Sequence, residues 1–207
     1  MFISRTMFYS LVDNTGVYVM IPFKCELELI NNIKVRETTA KILCQMPKWF
    51  MKEGASSTGK YHPQYAQGEG GLYRHTCAAV KIYNDIASLE QYKEVIDNKD
   101  WGIAALILHD MCKYGYDDIP SKYTRFDHPL LVRKWLEYLQ YESGAEEFLD
   151  EEYINNVCNL VESHMGQWNT NKYYPDVILP TPLTFNQQLV HLADYLASRN
   201  YLEVKFN

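Results

Sequence analysis

The chain has 207 residues, 47% apolar and 22% charged, with a net charge of −6: room for one domain with a full core, and an acidic balance that disfavours extended nucleic-acid binding while allowing a phosphate-containing small molecule or short oligonucleotide in a locally positive pocket. Five cysteines (Cys25, Cys44, Cys77, Cys112, Cys158) without a CxxC pair argue against a disulfide framework or zinc knuckle and for a reducing, cytoplasmic setting. The longest strongly apolar run, near Ile103–Leu108, is too short to span a membrane, and the N-terminal MFISRTMFYS lacks the marks of a signal peptide.

Residues 1–35 read as an N-terminal appendage. Asn14-Thr15-Gly16 marks a turn and Val17–Phe23 a strand, so a β-hairpin is its expected form. From Arg36 the pattern turns helical, and Pro47 should kink or restart the helix. An eighteen-residue polar loop, Gly54–Gly71, follows; compact domains rarely keep such a loop without a use for it. Helices are predicted over Leu72–Ser88, Trp101–Lys113, Pro129–Tyr141, Glu151–His164 and Phe185–Asn200. Loops are predicted over 114–127 and over 166–182, the second with three prolines. There is no internal repeat. The reading is all-α, with one helical domain over residues 36–207.

Six histidines stand at positions 62, 75, 109, 128, 164 and 191. His75, His109, His128 and His164 fall at or near predicted helix ends, which converge on a pocket more easily than helix middles. Imidazoles and carboxylates are metal ligands. Asp194 sits in the largely apolar LVHLADYLASR, where an acid needs a partner. Singly, each residue is more often a packed histidine or a satisfied acid. The ordered set His75, His109-Asp110, His128, His164, Asp194 is harder to read that way.

The motifs GGLYRHT, LILHDMCKYG, DHPLLV, VESHMGQW and LADYLASR, over about residues 45–200, resemble those of the HD-domain metal-dependent phosphohydrolases. The resemblance implies an HD-domain helical bundle with a first metal on His75, His109, Asp110 and Asp194. Asp110 would bridge to a second metal on His128 and His164. The stretch ASSTGKYHPQYAQGEGGLYRHT is similar to the lead-in of the HD domain in bacterial 3′-to-5′ exoribonucleases and in small phage and bacterial HD proteins. Residues 1–35 are too short for the OB-like module of the exoribonucleases, which argues against polynucleotide degradation. Ser163 stands where two-metal relatives often carry a second histidine, so water would fill that ligand place.

The resemblance therefore implies a hydrolase with one or two divalent ions. The ligand set suits Mn, Fe, Ni, Co or Zn better than Mg. Such ions acidify a water that attacks phosphorus. The expected activity is a phosphodiesterase acting on a nucleotide or short oligonucleotide. The alternatives are a nucleotide phosphomonoesterase, a nucleoside-triphosphate hydrolase, or a non-catalytic nucleotide-binding HD protein. Lys113 would share a side with Asp110 if the helix continues, and would stabilise phosphoryl charge; otherwise it is a helix-end lysine. Lys60, His62 and Arg74 could edge the phosphate site, with His62 also able to protonate a leaving group. Tyr61 offers an aromatic face at the tip of a flap over 54–71. Arg199, five residues after Asp194 and off its direct face, is a further substrate contact. His191 either orients Asp194 or simply packs.

Overall fold

The computed structural model describes residues 10–12, 18–56, 61–93, 99–142 and 149–202. Two short strands, β1 (Ser10–Val12) and β2 (Tyr18–Met20), pair antiparallel with Leu11 opposite Val19. The strand expected over Val17–Phe23 narrows to β2, and the Asn14-Thr15-Gly16 turn lies outside the described residues. The α-helices are α1 (Lys24–Leu27), α2 (Ile33–Leu43), α3 (Gly71–Ala87), α4 (Lys99–Leu108), α5 (His128–Glu142), α6 (Glu151–Val161) and α7 (Phe185–Ala197). The fold is all-α apart from the ribbon. Among the described residues no helix is long and apolar enough to cross a membrane.

From Ile21 onward the chain is built into the helical core rather than appended to it. Phe23, Leu27 and Ile30 are fully buried. Phe23 adopts a left-handed conformation with φ 63°, which costs about 1 kcal/mol or more for a residue with a side chain. Its ring packs 4.7 Å from Tyr73 and 6.0 Å from Phe50, and burying a phenylalanine contributes about 1.5–3 kcal/mol. Asp100 of α4 then anchors the entry to α2. Its carboxylate accepts the backbone N–H groups of Asn31 (3.1 Å) and Asn32 (2.6 Å), while the Asn32 side chain caps α2 at Lys34 and Val35.

Helix α4 explains how a histidine and an aspartate come to lie at the end of an apolar run. Residues Gly102–Leu108 are all buried, so the helix has no solvent face and passes through the middle of the domain. Its C-terminus therefore delivers His109 and Asp110 into the interior. Gly102 permits the close approach of α3. A Cβ there would lie 2.0 Å from the Tyr83 hydroxyl, which in turn donates to Asn186 Oδ1 of α7 at 2.7 Å. One tyrosine thus ties together three of the elements that carry the site. A capping box of Thr184 and Gln187 starts α7.

Helices α3 and α5 match the expected ranges to within a residue. By contrast, α4 stops at Leu108 rather than Lys113, α6 at Val161 rather than His164, and α7 at Ala197 rather than Asn200. The freed residues form tight turns, such as Met111 N–H to Leu108 O at 3.0 Å and His164 N–H to Val161 O at 3.1 Å. Helix α2 ends at Leu43, before Pro47.

Candidate metal centre

His75 lies in α3, His109 and Asp110 in the turn after α4, His128 at the start of α5, His164 in the turn after α6, and Asp194 in α7. All but Asp194 are buried. Three of the histidines share one local device: each directs Nδ1 at the carbonyl three residues earlier. His109 reaches Leu106 at 2.6 Å, His128 reaches Arg125 at 2.6 Å and His164 reaches Val161 at 2.7 Å. A carbonyl only accepts, so Nδ1 carries a proton, and Nε2 is the nitrogen turned toward the cluster. The tight turns at the helix ends make this geometry available.

The Nε2 atoms of His75, His109 and His128 face the two carboxylates. His75 Nε2 lies 2.9 Å from Asp194 Oδ1, and His109 Nε2 lies 3.5 Å from the same oxygen and 3.4 Å from Asp110 Oδ2. His128 Nε2 stands 3.1 Å from Asp110 Oδ1 and 3.3 Å from His164 Nε2. Candidate ligand atoms of His75, His109 and Asp194 fall within 4.8 Å of one another, as do those of His109, Asp110 and His164. Asp110 thus turns one oxygen to each half of the cluster.

The donor set fits a divalent cation. The Nε2 atom of His109 is buried with no hydrogen-bond partner. The Nε2 atoms of His128 and His164 lie 3.3 Å apart beside Asp110. Burial and the neighbouring His109 push the His164 imidazole down to about 3, which keeps it neutral, the form that ligates a metal. For Asp110, burial would raise the carboxyl, but Lys113, His109 and His128 together hold it well below the usual carboxylate range. Asp194 is likewise held well below that range against its burial, by His109 and His75. Both acids are therefore ionised, as metal ligands must be.

Lys113 is buried and donates from Nζ to Asp110 Oδ2 at 2.5 Å. Burial opposes its charge, but Asp110 more than offsets this and its pKa is raised. The helix does not continue to carry it; a turn closed by Lys113 N–H to Asp110 O at 3.0 Å does so instead. A cleft of about 250 Å³ opens over the cluster, walled by His62, Lys113, Trp168, His191, Tyr195 and Arg199.

The proposed substrate residues divide. His62 stands with its ring 5.4 Å from that of His75; burial, then His75 and Lys113, push it down to about 3. Tyr61 is 56% exposed and lies beside Arg199, 5.8 Å from the guanidinium carbon. Arg74 does not wall the cleft. Its guanidinium donates to the carbonyls of Tyr65, Gln67 and Glu69 and so clamps the loop before α3. Lys60 lies outside the described residues. Ser163 turns its hydroxyl back to Leu160 O at 3.3 Å. His191 donates Nδ1–H to the carbonyl of His164 at 2.7 Å, bracing that turn rather than Asp194. Sequence reasoning passed over Trp168 and Tyr195. The available signal was helical spacing, since Tyr195 is four residues from both His191 and Arg199.

An α-helical domain whose helix ends gather buried imidazoles and ionised carboxylates defines a metal-binding helical domain. The HD domain family profile matches residues 72–199, from the first turn of α3 to just beyond α7. The chain belongs to the HD domain family, which implies a metal-dependent phosphohydrolase. No curated protein and no solved structure matches the chain significantly.

Proposed function

We propose that the protein is a metal-dependent phosphodiesterase acting on a nucleotide or a short oligonucleotide. The observation that carries this reading is Asp110, which sets one oxygen against His128 and the other against His109 and Lys113. That placement suits a carboxylate shared between two ions, with His75, His109 and Asp194 on one side and His128 and His164 on the other. Divalent ions bound there would supply an acidified water and neutralise phosphoryl oxygens.

The chain's own residues supply the rest. Asp110 and Asp194 orient the site, and the protonated Lys113 stabilises charge on a non-bridging phosphoryl oxygen. Neutral His62 and the cationic Arg199 face the remainder of the substrate across the cleft. The attacking water gives a proton to solvent as its oxygen bonds to phosphorus, the ester P–O bond breaks, and solvent protonates the leaving oxygen. The two histidines beyond the HD set, His128 and His164, support a diester as the cleaved bond, by analogy with two-metal members of the family.

The test is metal analysis of the purified chain, followed by hydrolysis of dinucleotides, cyclic nucleotides, nucleoside monophosphates and nucleoside triphosphates in Mn²⁺. Turnover of diesters above the others is the expected result. Turnover of monophosphates alone, or no metal uptake, would reject the reading.

A further inference from the structure

The cleft wall holds a row of groups that phosphoryl chemistry leaves unused. Helix α7 presents His191 and Tyr195 at four-residue spacing, which lines them along one face, and Arg199 follows in the turn after the helix, closed by its N–H to Leu196 O at 3.0 Å. Trp168 stacks on Tyr195, with ring centroids 5.5 Å apart and planes at 14°. The Arg199 guanidinium lies 4.4 Å from the Tyr195 centroid and borders Tyr61. Its Nε and Nη2 both donate to Ser198 Oγ, and among the described residues no carboxylate pairs with it. Trp168 is 44% exposed although it walls a cleft beside buried charge.

An indole left open to solvent and, beside it, a cation with no carboxylate partner among the described residues match a ligand that is flat and aromatic at one end and anionic nearby. We propose that this row is a base-binding wall, in which a nucleobase stacks on Trp168 and Arg199 takes a phosphate that is not being cleaved. The proposal rests on the hydrolase reading for its substrate class and adds the residues that select it. Base stacking on an aromatic side chain contributes about 1–3 kcal/mol, and the guanidinium suits phosphate geometry.

Tryptophan fluorescence reads this, because Trp49 and Trp135 are buried and Trp101 is packed partly buried against Tyr153, while Trp168 is exposed. The full chain is titrated with adenosine and AMP with metal chelated, so that no turnover is needed. Both should quench, and ribose 5-phosphate should compete at least about fivefold more weakly than AMP, the lower limit of the stacking range. Quenching should vanish in Trp168→Leu, with circular dichroism unchanged. Arg199→Ala should narrow the preference for AMP over adenosine, and Arg199→Lys should restore part of it. Equal competition by ribose 5-phosphate, or quenching that persists in Trp168→Leu, overturns the wall. Asp110-dependent cleavage of bis-p-nitrophenyl phosphate in Mn²⁺ tests the hydrolase reading separately. Its absence beside intact AMP quenching would sink that reading and support the wall.

Discussion

Asp110 and Lys113 make contrasting demands on the cluster. The carboxylate faces His128 with one oxygen and His109 with the other, whereas the ammonium pairs, among the described residues, with Asp110. Asp110→Ala is therefore expected to lose both metal and activity, read by elemental analysis and by diester hydrolysis. Lys113→Ala should keep its metal while kcat falls, on the order of 100-fold if the lysine stabilises transition-state charge. Normal metal content in Asp110→Ala contradicts the shared carboxylate. Unchanged kcat in Lys113→Ala would leave that lysine as a structural partner of Asp110.

The helix ends and their caps are where elements become site. Gly166 follows the turn that carries His164, with φ 58°, and a Cβ there would meet the His191 ring at 2.3 Å. Gly166→Ala should strain the turn and displace His191 from the His164 carbonyl. Metal affinity is then expected to fall about tenfold, as when groups supporting a ligand are lost; calorimetric titration reads it, and unaltered affinity would show that the brace is dispensable. Asp150 illustrates the same principle away from the site. It caps α6 at the Tyr153 N–H (2.8 Å) and pairs with Lys34, which holds its carboxyl below the usual value, the Lys34 hydrogen bond first and the Tyr153 N–H next. A depressed folded-state pKa stabilises the fold above the unfolded carboxylate value, and the contribution is lost as pH falls through the folded one. Asp150→Ala should cost about 1 kcal/mol near neutral pH and less in acid. Urea melts at the two pH values check this, and a pH-independent loss would count against it.

At the scale of the whole molecule, net charge and local charge oppose each other. The chain carries −6, yet Lys113 and Arg199 both wall the cleft. A long polyanion must approach the acidic surface, whereas a short one needs only the pocket. We therefore expect kcat/KM to be higher for di- and trinucleotides than for long single strands, measured at fixed salt. A rate that grows with chain length would contradict this.

Much of the helical order could be read from residue periodicity, because an amphipathic helix repeats locally and α3, α5 and the starts of α6 and α7 depend on neighbours three and four residues away. The order of His75, His109-Asp110, His128, His164 and Asp194 was equally legible, since those residue types are uncommon together at helix ends. Tertiary structure decided the remainder. Helix stops at Leu108, Val161 and Ala197 depend on which carbonyls are claimed by turns and histidines, and those partners come from packing. Arg74 and Arg199 are both single arginines in the sequence. One is consumed by the carbonyls of its own loop and the other is left open beside Tyr195 and Tyr61, a difference set by contacts between distant segments. The burial of Phe23, Leu27 and Ile30 was hidden for the same reason: their pattern is too short to be periodic, and it is the surfaces of α2, α3 and α4 that give them an interior to enter.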